Sequence, residues 1–446
     1  MSFSTAALRA VLEAHAPAGA TGLAIALSGG ADSAYLLAAA AQLGATFRGL
    51  CVRAVHVDHG LQPAAAEFRQ ACTSICRQLQ IPLTVVSVQV DAPVGASIEA
   101  AARDARYAAL AEVLTSGECL LTAHHCADQA ETLLLQALRG AGLKGLSGMP
   151  ICRAFGQGWH MRPLLNVLKR DLSDFGARLS LATVADPMNV DLRFDRAYLR
   201  HSVWPLIEKR WPGADISLAR TASHLAEAQE LLDATAAADV TRLRDGDALS
   251  LPGLRALAAP RRINAMRYWI SSSAALPPST ARLTEAARQI FEAQPDQMPA
   301  IAWGESALRR YRERLFLTKA DPPRLGAAAP WRATLGSEVA LGPGLGRLRW
   351  VKQSGGIAAE RLPELLTVRQ RRGGETIKPG KQARTQSVQH LCQSLGVLPW
   401  MRDALPLIFA GDALIAVGDL WLDARWCALP DKPGLGCVWD DAPIIV

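Results

Sequence analysis

The 446-residue sequence has no C-x-x-C pair, no long apolar run, no low-complexity tail and no evident internal repeat. The first absence argues against a zinc ribbon, an iron–sulfur site or a thioredoxin-type centre. Nine cysteines (Cys51, Cys72, Cys76, Cys119, Cys126, Cys152, Cys392, Cys427 and Cys437) are scattered, odd in number and mostly set among apolar neighbours. Reduced, buried thiols are the plain expectation. The apolar stretches Ala34 to Ala41 and Cys119 to Ala123 fall far short of the ~20 residues that span a bilayer. Glu13 and His15 interrupt the opening apolar run and no basic segment precedes it, so a signal peptide is not expected and a cytoplasmic location is.

What the sequence does contain is a globular balance, 50% hydrophobic and 20% charged, with a formal net charge of +7. A positive excess of this kind favours approach to a polyanion, nucleic acid before membrane. At ~150 residues per domain, the length suggests two to four units.

The first half alternates strand-like and helix-like stretches. Gly22 to Leu27, Leu50 to Val57, Leu83 to Val90 and Cys119 to Ala123 read as strands; Ala31 to Leu43, Pro63 to Leu79, Ser97 to Leu114 and Ala127 to Leu138 read as helices. That alternation predicts an α/β fold with a doubly wound parallel sheet, and a ligand beyond the carboxyl ends of its strands. Three polar clusters, at Ser28, at His56 and at His124, fall on those ends and so share one rim. From Asp215 to Phe291 the pattern becomes helical, with Leu218, Leu225 and Leu232 as an expected core stripe. Pro322, Pro323 and Gly326 to Pro330 read as a linker, followed by short strands and one helix near Gln386 to Leu395. The expected domains are therefore 1–214, a helical 215–321, and a small α+β domain over 331–446.

Between the first strand and helix lies Ser28-Gly29-Gly30-Ala31-Asp32-Ser33. Glycines there admit close backbone approach, the helix start offers free N–H groups, and two serines add hydroxyl donors. This is a cradle for a phosphate chain, but it is not the Walker loop, because no lysine follows. Asp32 inside such a cradle repels phosphate unless a divalent cation intervenes, so Mg²⁺ is expected. A plain serine–glycine turn with Asp32 as a helix cap is the competing reading.

The hexad matches the S-G-G-x-D-S loop of the N-type ATP pyrophosphatases, a resemblance that implies cleavage of ATP between its α and β phosphates and AMP transfer. Further segments resemble the tRNA(Ile)-lysidine synthases: His56-Val57-Asp58-His59-Gly60-Leu61; Glu99 with Arg103, Arg106 and Tyr107; His124-His125-Cys126-Ala127-Asp128-Gln129 with Glu131 and Thr132; Arg139-Gly140-Ala141-Gly142-Leu143; and Arg162-Pro163-Leu164-Leu165. Asp186-Pro187-Met188-Asn189 with Arg196 and Arg200, and then Leu398-Pro399-Trp400 with Arg402, extend it over nearly the whole chain apart from a poorly matched middle. Ala127 stands where the family pairs two aspartates, Ala197 where it has asparagine, and Met188 where a hydroxyl residue is usual.

The resemblance implies that lysine is joined to C2 of the wobble cytidine in a tRNA(Ile) with a CAU anticodon. Partners are then ATP with Mg²⁺, L-lysine and that tRNA, with no membrane and with homodimerisation left open. Ser28 to Ser33 and His56 are the expected nucleotide contacts. Asp32, Arg103, His124, Asp128 and Glu131 are the expected catalytic set, with Asp32 and Asp128 as metal ligands. Arg139, Arg196, Arg200, Arg369, Arg371, Arg372, Trp400 and Arg402 are expected to meet RNA. A tRNA thiolase of the same superfamily and an inactive tRNA-binding protein are the rival readings.

Overall fold

The computed structural model describes residues 3–44, 49–58, 65–90, 98–185, 190–294, 297–380 and 382–443. His59, Gly60, Leu61, Pro63, Ser97 and Asp186 to Asn189, all singled out above, lie outside them, as does the side chain of Glu99. The chain divides into two compact units, Met1–Leu232 and Asp233–Val446.

The first unit holds α1 (Thr5–His15), β1 (Gly22–Ala26), α2 (Ala31–Leu43), β2 (Cys51–Asp58), α3 (Ala65–Leu79), β3 (Leu83–Ser87), α4 (Ile98–Val113), β4 (Glu118–Leu121) and α5 (Cys126–Leu138). From β1 to α5 these match the expected elements to within two or three residues, and α1 is an addition. Beyond them lie α6 (Leu143–Leu146), a hairpin of β5 (Cys152–Phe155) and β6 (Gly158–Met161), α7 (Lys169–Gly176), α8 (Asp195–Tyr198), α9 (Trp204–Arg210) and the part of α10 (Ala214–Leu243) up to Leu232. The sheet order is β3-β2-β1-β4-β6-β5, parallel except at the β5 edge. The chain winds from β1 outward through β2 to β3, then returns to place β4 on the other side of β1. The strand order thus reverses between β1 and β4, and the crevice beyond their carboxyl ends is the natural ligand position.

α2 is apolar all round, with Leu36, Leu37 and Ala38 to Ala40 fully buried. A helix of that kind has to be covered on both sides. β1 lies on one side, while α1 and α7 close the other, where Phe3 and Phe175 meet edge to face at 5.1 Å. α7 approaches so closely that a Cβ at Gly176 would fall 2.1 Å from the Tyr35 ring. That closeness brings Lys169, at the start of α7, to the first turn of α2.

β2 and β4 are tied across β1 by an ion pair, with Arg53 Nε and Nη2 each 2.7 Å from an Oε of Glu118. Burial would raise the Glu118 pKa, but Arg53 and the Thr115 N–H outweigh it and hold the carboxyl below its usual range.

The second unit pairs two short strands, β7 (Arg244–Asp245) and β8 (Ala248–Ser250), with β9 (Ala300–Trp303), β10 (Ser306–Tyr311) and β11 (Arg314–Lys319) after the intervening α11 (Leu251–Ala256), α12 (Ala259–Ser272) and α13 (Thr280–Glu292). The expected helices are present, and this five-stranded sheet is an addition. The leucine stripe is the core face of α10 only in part: Leu218 and Leu225 are half-buried and Leu232 is 43% exposed, while Ala219, Ala222, Ala236, Val240 and Leu243 are the buried positions. The expected linker is also partly structured, since Leu325 is buried and Pro330 lies in an edge strand, β12 (Ala329–Arg332), where a missing N–H is tolerated. Past it, β13 (Glu338–Gly342) and β14 (Gly346–Ser354) share a sheet with β21 (Pro433–Asp440), and β15 (Leu365–Arg369), β18 (Leu407–Ala410), β19 (Ala413–Val417) and β20 (Trp421–Leu422) extend the β12 sheet. β16 (Thr376–Ile377) and β17 (Gln386–Ser387) form a small ladder leading into α14 (Val388–Leu395). Trp331 and Trp350, stacked at 4.4 Å, join the two larger sheets.

Removing one member of a buried ion pair leaves the other charge uncompensated. Arg53→Met is therefore expected to lower unfolding stability by about 3 kcal/mol, and Arg53→Met with Glu118→Leu to recover most of it, as urea denaturation would register.

Candidate active site

The tip of β1 delivers the chain into a tight turn. Gly29 has φ +87°, and a Cβ there would meet the Phe68 ring at 3.2 Å, so a side chain would be strained both in backbone and in space. Gly30 caps α2 without using a side chain. Ser28 and Ser33 face each other, Oγ to Oγ, at 3.1 Å, and Ser33 Oγ donates to the Gly30 carbonyl at 3.0 Å. The turn is thus built by its own hydroxyls, and the start of α2 is left as an anion-binding end.

This turn borders a cavity of about 630 Å³ at the switch point. Ser28, Asp32, His56, His124, Asp128 and Arg200 all line it, so the three strand-end clusters do share one rim. His56 is buried with Nδ1 2.9 Å from the Leu27 carbonyl, which fixes its ring against β1. Two cavity residues were not foreseen. Lys169 forms a bidentate ion pair with the Asp32 carboxylate. The loop's missing lysine is supplied from 137 residues away in sequence, and only the α7–α2 packing reveals it. Arg106 lines the cavity, one helical turn beyond Arg103, which does not; Arg103 is exposed and sits over the Tyr107 ring at 5.2 Å.

Asp128 and Glu131 share one face of α5 and bind the same two arginines. Arg196 and Arg200 reach Asp128 Oδ1 at 3.2 and 3.1 Å, and Glu131 at 2.8 and 2.7 Å. Arg196 lies on α8, and Arg200 in the wide π-helical turn Leu199–Val203 that follows, where Pro205 cannot donate back to the chain. Both contacts form with Ala197 between them, so the missing asparagine does not break the element. Glu131 is buried and does not border the cavity, which corrects the expectation that it converges there with His124 and Asp128. Asp128 also accepts the His125 N–H at 2.9 Å as a helix cap. Burial favours its neutral form, but His125, Arg196, His124 and that N–H prevail, and its pKa lies below the ordinary carboxylate value.

Behind β4 sits a buried polar row. Arg162 Nη2 lies 3.2 Å from His160 Nδ1, His160 Nε2 2.8 Å from Thr122 Oγ1, and Thr122 Oγ1 2.9 Å from His124 Nδ1. Burial, reinforced by the arginine charges, lowers His124 to about 3 and His160 to about 2. Burial also brings Arg162 down to about 10.

As metal ligands, Asp32 and Asp128 are not equivalent. Asp32 faces the cavity, its lysine partner is half-exposed, and a single carboxylate beside phosphates is a normal donor set for Mg²⁺. Asp128 is saturated by two guanidiniums and an N–H. The residues fit an ion held through Asp32 and not one bridging the pair.

Several expected RNA contacts are structural. Trp400 packs edge to face on Phe316 at 5.3 Å. Arg369 lies over the Phe409 ring at 3.9 Å and bonds Glu375, Arg371 pairs with Asp403, and Arg402 donates to the Val397 carbonyl. In the helical stretch, Trp269 is buried and Arg261 pairs with buried Asp239. Arg139, paired with Asp195, is exposed, as is the Arg372 side chain.

A glycine-serine loop at the switch point of a parallel sheet, with its own aspartate, defines an ATP-binding enzyme domain of the PP-loop class. Family models agree: residues 4–207 match the PP-loop domain, 249–316 the TilS substrate binding domain and 366–439 the TilS substrate C-terminal domain. The chain belongs to the tRNA(Ile)-lysidine synthase family. It is 39% identical over 414 residues to the tRNA(Ile)-lysidine synthase of Alkalilimnicola ehrlichii, covering 92% of both chains. Its likeness to that of Coxiella burnetii is also 39%, over 88% of this chain and 87% of the relative, and to that of Pseudomonas aeruginosa 39%, over 95% and 98%. These relatives and the two substrate-domain models support the lysidine reading over the thiolase one. Among the described residues, no helix is long and apolar enough to cross a membrane.

The buried histidines predict an acid dependence. Unfolded histidine takes up a proton below about pH 6.5, whereas folded His124 and His160 do not until far lower, so the unfolded state binds more protons and stability falls as pH drops. Between about pH 7.5 and 5.5 each is expected to cost about 1 kcal/mol, and His160→Phe to flatten that slope in urea unfolding curves.

Proposed function

We propose that this chain joins L-lysine to C2 of the wobble cytidine in tRNA(Ile) bearing a CAU anticodon, in the cytoplasm, through a tRNA adenylate. The observation that carries this reading is the lysine-free phosphate turn facing, across one cavity, a set of cations drawn from three other segments: Arg106, Lys169 and Arg200.

The C2 oxygen of cytidine is a poor leaving group. In the first step it attacks the α-phosphorus of ATP; the oxygen–phosphorus bond forms and the bond to pyrophosphate breaks. In the second, the lysine ε-amine attacks C2, the carbon–nitrogen bond forms, AMP departs with the oxygen, and the nitrogen gives up a proton. Two displacements with good leaving groups replace one with a bad one. The turn from Ser28 to Ser33 cradles the phosphate chain, His56 holds the wall beside it, and Arg106 and Lys169 neutralise the charge that collects on pyrophosphate. Mg²⁺ held by Asp32 would add to that neutralisation. Asp128, kept ionised, is an anchor for Arg196 and Arg200 and not the acceptor of the amine's proton. Phosphate contacts to tRNA fall to exposed cations such as Arg372 and Arg384. The two substrate-domain matches support tRNA as the partner.

Incubation with ATP, radiolabelled lysine and a CAU-anticodon tRNA is expected to place label in the RNA and release AMP and pyrophosphate. Products of ADP and orthophosphate, or equal labelling of any tRNA, contradict the reading, and no turnover at all favours the inactive tRNA-binding protein. Asp32→Asn should lower tRNA-dependent pyrophosphate release by about 100-fold or more, and Lys169→Ala should act mainly through the ATP requirement.

A further inference from the structure

The polar row behind β4 has a direction. Arg162 is always a donor, so the His160 Nδ1 that faces its Nη2 at 3.2 Å must accept. A neutral His160 then carries its proton on Nε2 and donates it to Thr122 Oγ1 at 2.8 Å. The hydroxyl, having accepted on one side, has its own proton free for His124 Nδ1 at 2.9 Å. His124 is left with its proton on Nε2, and His124 lines the cavity.

The row is held from both ends. Arg162 Nη1 donates to the Pro150 carbonyl at 2.9 Å, and the His160 ring, wholly buried, is flanked by Tyr107 and Phe155 at centroid distances of 5.6 and 5.5 Å. A flipped ring would turn carbon toward Arg162 and Thr122 and lose both hydrogen bonds, so the orientation is set by its two partners.

We infer that Arg162, His160 and Thr122 form a one-way hydrogen-bond relay that sets His124 as a fixed Nε2–H donor toward a phosphoryl oxygen of the nucleotide, and that these three are positioning residues for it. The inference rests on the reading above for the identity of the acceptor, and on the relay alone for the tautomer. His124 accordingly works as a neutral donor to developing negative charge and not as a proton acceptor. A neutral donor suits this place, because the adjacent group of Asp128, Glu131, Arg196 and Arg200 is already charge-balanced.

The full chain labelled with ¹⁵N-histidine tests both parts. Without nucleotide, long-range ¹H–¹⁵N correlations are expected to show His124 and His160 as neutral Nε2–H tautomers; a His124 proton on Nδ1 overturns the relay. Addition of α,β-methylene-ATP should move the His124 Nε2 resonance and leave Nδ1 in place, whereas an unmoved Nε2 removes the nucleotide as acceptor and sinks the donor role. Thr122→Val is expected to mix the His124 tautomers and lower kcat for pyrophosphate release about 10- to 100-fold with little change in KM for ATP, and Thr122→Ser to restore both. A Thr122→Val chain with unchanged tautomer and kcat contradicts the relay. The tautomer is read without turnover, so failure of lysine transfer would leave that result standing and count against the substrate assignment alone.

Discussion

A buried carboxylate is tolerable only in company. Glu131 is 3% exposed on α5, and its charge would be forbidding there without Arg196 and Arg200, which clasp it and Asp128 together. Two negative and two positive groups balance, so the knot is worth little as net stability and much as geometry. It draws the chain after residue 190 back onto α5, and with it carries Arg200 to the edge of the nucleotide cavity. The opposite wall is set by steric contact, the Gly176–Tyr35 approach that seats α7 on α2 and brings Lys169 against Asp32. Between these two constraints the phosphate turn has cations on both sides although its own segment contains none.

The same balance decides which side chains can move protons. Asp128 is held ionised by its arginines, and His124 and His160 are held neutral by burial and by the arginine charges. None of them titrates near neutral pH. Such a site is organised to orient donors and to spread phosphate charge, which suits a reaction whose obstacle is a poor leaving group more than one whose obstacle is a proton. A fixed donor costs no reorganisation when charge develops, whereas a mobile proton would.

Much of this was legible in the sequence because it is local. Strand and helix bounds in the first unit follow from periodicity and from Gly44 and Ser28 to Ser33 as punctuation, and the shared rim follows from strand ends in a parallel sheet. The residues that were missed belong to tertiary packing. Nothing around Lys169 marks it as the partner of Asp32, and Thr122, His160 and Arg162 acquire a role only when β6 pairs beside β4. Arg103 and Arg106 are one turn apart on α4, and no pattern says which of them borders the cavity. The expectation that Arg369 and Arg371 meet RNA has a related origin: a sequence shows cations but not the acceptors already beside them, here Glu375, Asp403 and the Phe409 ring.

That last point bears on how a basic chain meets RNA. A guanidinium bonded to its own protein has already lost its hydration and its counterion, and it has little left to exchange with a phosphate. Counterion release, which drives polyanion binding, is therefore available only from cations that remain solvated, such as Arg372 and Arg384. The +7 formal charge thus overstates the binding surface. Arg369 over the Phe409 ring and Trp400 against Phe316 serve the packing of the chain itself.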